Sequence, residues 1–526
     1  MTSATVRERT EALLRALGMT TVFGNPGSTE LRFLREWPDD FRYITALHEG
    51  CAVAMADAYA QLTGRAALVS LHSAGGLGNA MGTLYTAARN HAPLVVIAGQ
   101  QTRAMLPGDP FLYAKDAATF PQPYVKWSVE PALAADVPRA IARAHAIAST
   151  RPYGPTFVSI PEDDWDAEAA PFTARRVVDD QVGSLAALDE VAAALVSARR
   201  PALVVGAGVD RDGAVEGVNS HAERLAAPVW ASALASRCSF PEDHPLFAGA
   251  LARTRAKVRE ALAPHDVVLV LGAPVFNFHV HTEGAYLEPG TTLYQLTDDP
   301  DESASAAIGT SVLTTLRPAV ARLLEEVPPT NRALPPPRPR PVVPDGTGIS
   351  VAALLDVLAS TMPKDTIVSE EAPSTHTTLH DALPLQPGRF FTSGSGSLGY
   401  GLPAAVGAAL AVPGRRVLAL IGDGSSHYGI QGLWNAAQLH LPITFVIVNN
   451  GGYGAMRSFS ELLGFERTPS MAIDGIDYLA LARGYGVPGV RVDARANLHD
   501  VLAEALRSDG PVLVDVIVED TAAKLY

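Results

Sequence analysis

Residues 416–454 read RVLALIGDGSSHYGIQGLWNAAQLHLPITFVIVNNGGYG, and this stretch decides the fold. Two apolar runs, VLALI (417–421) and ITFVIV (443–448), are short and continuous, as strands buried on both faces are. The first ends in Gly422-Asp423-Gly424-Ser425-Ser426 and the second in Asn449-Asn450-Gly451-Gly452-Tyr453-Gly454. Between them lies GIQGLWNAAQL, which is compatible with a helix. Such a unit predicts neighbouring parallel strands whose carboxyl ends share one sheet edge, where α/β proteins bind ligands. There Asp423 offers an anionic oxygen, Asn450 an amide oxygen and the glycine turn its carbonyls, a set that suits Mg2+ beside phosphate groups. The glycines admit backbone N–H groups close to a diphosphate, and the following helix N-terminus favours its charge. A GDG alone is a tight turn. The information lies in the pairing, with 24 residues between GDG and NN and each motif closing an apolar strand.

Working outward, the same alternation of strand-sized runs and helical stretches fills the chain. TTVFG (20–24), AALVSLH (66–72) and PLVVIAGQ (93–100) precede PALVVGAG (201–208), DVVLVLGAP (266–274) and PVLVDVIV (511–518). With 526 residues, 48% hydrophobic and 18% charged, the chain can fill three or four cores, and disorder throughout is excluded. Two breaks divide it: the charged segment 161–182 and the proline-rich segment 327–345, which reads as a stiff extended linker. The expected organisation is α/β, three doubly wound parallel-sheet domains: 1–178, 183–326 and, after the linker 327–345, 346–526. A net charge of −14 argues against nucleic-acid and anionic-membrane partners. Two cysteines, Cys51 and Cys238, exclude a disulfide framework. The N-terminal residues do not read as a signal peptide and no run approaches 18 apolar residues, so a cytoplasmic protein is expected.

The paired GDG and NN motif resembles the thiamine-diphosphate motif of the 2-oxo acid decarboxylase superfamily. By that resemblance Asp423, Asn450 and the carbonyl of Gly452 hold Mg2+, with Ca2+ or Mn2+ as alternatives. Gly422, Gly424, Ser425, Ser426, Tyr453 and Gly454 then line thiamine diphosphate. Such enzymes need a carboxylic acid against the aminopyrimidine ring. Glu49, opening the alanine-rich stretch EGCAVAMADAYAQLTG, stands where a buried helix would begin, partly withdrawn from water as proton exchange requires. Taken alone, a glutamate there complements the helix dipole.

Further segments resemble the benzoylformate decarboxylase family: FGNPGSTELRFL (23–34), LHEGCAVAMADAYA (47–60), LHSAGGLGNAMG (71–82), AGQQTRAM (98–105), VKWS (125–128), GAPVF (272–276) and SLGYGLPAAVG (397–407). This implies a pyrimidine-binding domain first, a cofactor-free central domain second and a diphosphate-binding domain last. The active site would lie between two copies of the chain, with a dimer as the minimal unit and a tetramer as the usual assembly. It implies non-oxidative decarboxylation of an aryl 2-oxo acid, phenylglyoxylate being the model, with carboligation as a side activity. Ser28 would hold the substrate carboxylate, His72 would serve the keto oxygen, and His279 would protonate the product. Two residues on, His281 competes for that last role, and on a strand both would point the same way. Asn25, Pro26, Gly27, Ser374, Gly396, Leu398 and Ala455 match cofactor contacts, Leu398 as the apolar wedge and Gly396 through its carbonyl. Phe111, Leu112, Ala455 and Phe459 match the substrate pocket, and Pro373 replaces a residue that is commonly threonine.

Plainer readings exist for single residues. Ser28 could cap a helix, and His72 could be a core histidine. Other enzymes of the superfamily, acting on branched-chain or indole substrates or joining carbonyl compounds, are the alternative within this class. LVVGAGVDRDG (203–213) suggests a NAD- or FAD-dependent oxidoreductase, but Arg211 stands where the third glycine of that fingerprint belongs. A non-catalytic homologue is the remaining option, and the presence of Glu49, Asp423 and Asn450 speaks against it.

Overall fold

A computed structural model describes residues 4–336, 338–339 and 341–519. The expected ends of the first and last domains, at 1–3 and 520–526, and positions 337 and 340 of the expected linker lie outside the described residues. Three six-stranded sheets succeed one another along the chain, every pairing within them parallel. The first runs, edge to edge, Arg42–Thr45, Thr21–Gly24, Ala67–Leu71, Leu94–Gln100, Thr156–Pro161, Ser128–Val129. The third runs Phe390–Thr392, Ile367–Glu371, Val417–Gly422, Ile443–Asn449, Val512–Ile517, Gly489–Val492. Numbered by their own sequence, both have the order 2-1-3-4-6-5.

The central sheet differs. Phe247–Ala250, Val229–Ala231, Pro201–Val205, Val267–Leu271, Thr292–Thr297 and Thr310–Leu313 stand in the order 3-2-1-4-5-6. The three segments therefore have two topologies. The central order is that of dinucleotide-binding sheets, but its glycines have a packing reason: a Cβ on Gly206 would stand 2.5 Å from that of Ala273, and one on Gly208 2.7 Å from the Cα of Gly272. They let the turn after Pro201–Val205 press against the end of Val267–Leu271.

Two counterpart helices join the outer sheets. Glu49–Thr63 and Gly401–Ala411 each follow the second strand of their sheet, and they pack against each other. Their alanines allow this close crossing, and a Cβ on Gly407 would lie 2.0 Å from the carbonyl of Met55. The result is one core shared by the first and third sheets, from Phe23 and Val69 to Ile421 and Phe445. Because small residues cover nearly every face, the Glu49 helix is buried almost throughout, as its composition indicates. The proline-rich segment is irregular but pinned at both flanks: Arg332 donates to the carbonyls of Leu225 and Ala198, and Arg338 to that of His380.

Candidate active site

The two glycine-rich turns read from the sequence meet at the carboxyl edge of the third sheet, where Val417–Gly422 and Ile443–Asn449 are neighbours. Asp423 is buried, and its carboxylate accepts from the amides of Gly424 (2.8 Å) and Gly452 (2.9 Å). The side-chain oxygen of Asn450 lies 3.3 Å from the same Gly452 amide. Burial raises the Asp423 pKa above the ordinary carboxylate value, despite these amides and the charge of Arg457. A partly desolvated anion beside an amide oxygen and a carbonyl-rich turn is a donor set for a hard cation. Ser425 and Ser426 lie buried in the helical turn Asp423–Ser426. The Tyr453 ring fills the space above Gly424, where a Cβ would come within 2.6 Å of it, and Ser374 flanks Gly454.

Gly396 and Leu398 belong to a loop tied on several sides. Gly396 has φ +73°, a backbone state that favours glycine, and its surroundings are open. Thr86 hydrogen-bonds Ser395 (2.8 Å) and the Gly394 amide donates to Asn90 (2.9 Å), so the loop rests on the first domain. Leu398 is half-buried. Immediately after it, the amides of Gly399, Tyr400 and Gly401 all donate to buried Glu371. Sequence reasoning missed Glu371; the EE pair ending a strand was the available signal. Burial pushes its carboxyl up to about 7.

A second cluster sits on the first sheet. His48 caps the Glu49 helix by accepting from the Gly50 amide, which leaves Glu49 in the first turn, buried, and accepting from Asn79 Nδ2 at 3.1 Å. Asn79 lies on the helix Ser73–Arg89, whose cap position is His72. One helix thus carries both the anchor of Glu49 and the histidine. A Cβ on Gly76 would lie 3.1 Å from Glu49 Oε1, so the small residues of LHSAGGLG make room for the carboxyl group.

His72 is three-quarters covered, with Nδ1 2.9 Å from Glu30 Oε2 and 3.1 Å from Thr29 Oγ1. Neither Thr29 nor Glu30 was expected from the sequence. Their signal was the run NPGSTE, which looks like an ordinary helix start. Ser28 follows the loop Asn25-Pro26-Gly27 and is exposed; the helical turn is capped at Gly27 and no side chain caps it, so capping does not explain the serine.

His279 and His281 are separated by the structure. Their segment is irregular rather than a strand, so the expectation of a shared direction fails for want of an extended backbone. The His279 ring stands 5.3 Å from that of Phe459, while His281 meets Glu283 in solvent. Burial, and then the charge of Arg253, holds the His279 imidazole below its ordinary pKa. The four expected pocket residues divide. The Leu112 carbonyl accepts from Ser73 Oγ, next to His72 in sequence, at 2.7 Å, and Phe111 precedes Leu112. Ala455 and Phe459 lie on the helix Gly454–Leu462, next to the Asn450 turn. Phe111 is 86% exposed within a single chain.

The residues present fit thiamine diphosphate and a divalent cation. A Cβ on Gly424, Gly452 or Gly454 would collide with Tyr453, the Met471 carbonyl or Asn450, so these glycines let the two turns close together around the buried, amide-bonded Asp423, whose donor set suits a hard cation beside a diphosphate.

Models of the thiamine pyrophosphate enzymes match in order: the N-terminal TPP binding domain over residues 4–119, the central domain over 188–323 and the C-terminal TPP binding domain over 374–516. The chain is 44% identical over 520 residues to benzoylformate decarboxylase of Pseudomonas aeruginosa, covering 97% of this chain and 98% of that protein. The thiamine diphosphate-dependent 4-hydroxybenzoylformate decarboxylase of Rhodococcus jostii RHA1 superposes with a TM-score of 0.95 at 44% identity, covering 98% of this chain and 99% of that one. Benzoylformate decarboxylase from Polynucleobacter necessarius gives 0.96 at 38% identity, with 98% and 99% covered. With three matching domains in sequence and a relative alike over its full length, the chain belongs to the thiamine pyrophosphate enzymes, as a benzoylformate decarboxylase-like decarboxylase.

Proposed function

We propose that the chain converts an aryl 2-oxo acid of the phenylglyoxylate class to the aldehyde and CO2, in a site completed by a second copy of itself. The observation that carries this is one helix, Ser73–Arg89, that carries His72 at its cap and, through Asn79, anchors the buried Glu49, on a different sheet from the cation turn of Asp423 and Asn450. Relatives named for benzoylformate and 4-hydroxybenzoylformate support an aryl substrate, as does small Ala455 beside Phe459. Mg2+ is the expected ion, with Ca2+ or Mn2+ as substitutes, held by Asp423, Asn450 and the Gly452 carbonyl.

Thiamine diphosphate, when bound, supplies a nucleophilic carbon and a sink for the electron pair that CO2 leaves behind. The chain supplies the rest. Glu49 holds a proton against the aminopyrimidine nitrogen. Leu398 would give the cofactor an apolar support, and the carbonyl of Gly396 would accept from its amino group. Ser28 Oγ donates to the substrate carboxylate and orients it. His72 donates to the keto oxygen as charge builds there, a task typically worth 10² to 10⁴-fold. His279 delivers a proton towards the product carbon, and Phe111, Leu112, Ala455 and Phe459 exclude water around the ring.

A dimer is the smallest active unit in this reading, and a tetramer its assembly. Phe111, Leu47 and Met105 on the first domain and Met456, Leu462 and Phe465 on the third are exposed apolar side chains that a second copy would cover. The domain limits 1–178, 183–326 and 346–526, the cytoplasmic location and a carboligase side activity belong to the same proposal. Among the described residues no helix is long and apolar enough to cross a membrane. The test is to strip the protein of small molecules, restore thiamine diphosphate and Mg2+, and compare kcat/KM across 2-oxo acids. Phenylglyoxylates should lead, and a lead by branched-chain or indole substrates would favour the alternative.

A further inference from the structure

We propose that Glu30 is a positioning residue for His72: it holds the imidazole with its proton on Nδ1, so that Nε2 is the atom that serves the substrate. This rests on the role assigned to His72 above.

The carboxylate of Glu30 is buried and meets four groups, each able to donate. The amide of Gly27 stands 2.8 Å from Oε2 and that of Gly99 2.9 Å from Oε1. The Thr29 hydroxyl donates to Oε1 at 2.8 Å, and His72 Nδ1 lies 2.9 Å from Oε2. An ionised carboxylate has about four acceptor positions, and these neighbours take them all. With its hydrogen committed to Glu30, the Thr29 oxygen turns a lone pair towards His72 Nδ1 at 3.1 Å. If Nδ1 carried no hydrogen, three acceptors would crowd together there. Nδ1–H is therefore the arrangement that satisfies every group, and it leaves Nε2 as the reacting atom.

Space is cleared for this network. A Cβ on Gly27 would lie 2.2 Å from the His72 ring, and a Cβ on Gly99 2.3 Å from Glu30 Oε1. Gly27 has φ −122° and ψ −162°, an extended state open to any residue, so its lack of a side chain serves the ring and not the backbone. Among the described residues the ion-pair partner of Glu30 is His72. His72 can then release a proton from Nε2 to the keto oxygen as that becomes O–H, and recover it when the aldehyde carbonyl forms, with Nδ1–H bonded to Glu30 throughout.

The test is a double-mutant cycle in the holoenzyme. Glu30→Gln should lower kcat at least about tenfold, with KM within about threefold, because the interaction matters in the transition state. In a His72→Ala background the same change should cost less than about twofold, since Glu30 acts through His72. Glu30→Asp should recover part of the loss. Thr29→Val, a gentler change if Glu30→Gln fails to fold, should lower kcat by about threefold only while His72 is present. Thermal melting and thiamine diphosphate affinity report whether the fold persists. An equal cost in both backgrounds, or wild-type kcat for Glu30→Gln, overturns the proposal. Wild-type kcat for His72→Ala instead overturns the reading of His72 beneath it.

Discussion

The Gly452 amide donates a 2.9 Å hydrogen bond to Oδ2 of Asp423, joining residues 29 apart in sequence that close neighbouring strands. That bond fixes the distance between the two glycine turns.

Replacing Asp423 by asparagine keeps an oxygen for the Gly452 amide but removes the charge that draws the cation. Titration of thiamine diphosphate with Mg2+, followed by tryptophan fluorescence, should show affinity at least about tenfold weaker, since even outer-shell changes at metal sites cost that much. Unaltered affinity would place the cation elsewhere.

Glu49→Gln preserves shape and the contact with Asn79 but cannot exchange a proton. Decarboxylation should fall by at least about 100-fold, within the range for a positioned acid–base group, while the cofactor still binds. Wild-type turnover would remove Glu49 from the chemistry.

Ala455→Leu narrows the wall beside Phe459. The ratio of kcat/KM for phenylglyoxylate over pyruvate should fall by about 10–200-fold, the scale of 1–3 kcal/mol that apolar pockets discriminate. An unchanged ratio would mean that Ala455 does not touch the ring.

Asp57, on the Glu49 helix, is fully buried and accepts from Gln61, Asn90 and the Tyr400 hydroxyl, tying the first domain to the third. Burial raises its pKa from 3.8 to about 6. A carboxyl raised on folding contributes stability fully present below its unfolded value and lost as pH rises through the folded one. Urea unfolding should thus show stability declining between pH 4 and 6 by up to about 3 kcal/mol from this group. Asp57→Asn should remove that slope whatever its absolute stability, and an identical slope would acquit Asp57.

The readable parts of the molecule were those whose signal is local. Strand runs such as VLALI and ITFVIV carry their own burial, and Asp423 and Asn450 stand at strand ends that any parallel pairing brings together. The alanines of the Glu49 helix announced burial because a helix without a polar face has no other place. Less was readable where the cause lies across the chain. Glu30 looks like a helix start until Gly99, 69 residues away, donates its amide. Only its spacing from GAPVF favours His279 over His281 in the sequence, because a strand would point both the same way; the irregular segment is what separates them. The shared strand order of the first and third sheets has no counterpart in repeated residues, because topology is set by which apolar runs pair and not by their identity. For the same reason the different order of the central sheet was hidden by similar Val- and Leu-rich strands.

The central claim is that one cofactor is held by the Asp423 turn of one copy and served by Glu49 of another. Mixing two inactive variants tests it: Glu49→Gln and Asp423→Ala chains are unfolded together, refolded and assayed with thiamine diphosphate, Mg2+ and phenylglyoxylate. The account predicts that activity returns in the mixture, since a mixed dimer regains one intact site, while each variant refolded alone stays inactive. A mixture as inactive as its parents, although mixed dimers form, would contradict it.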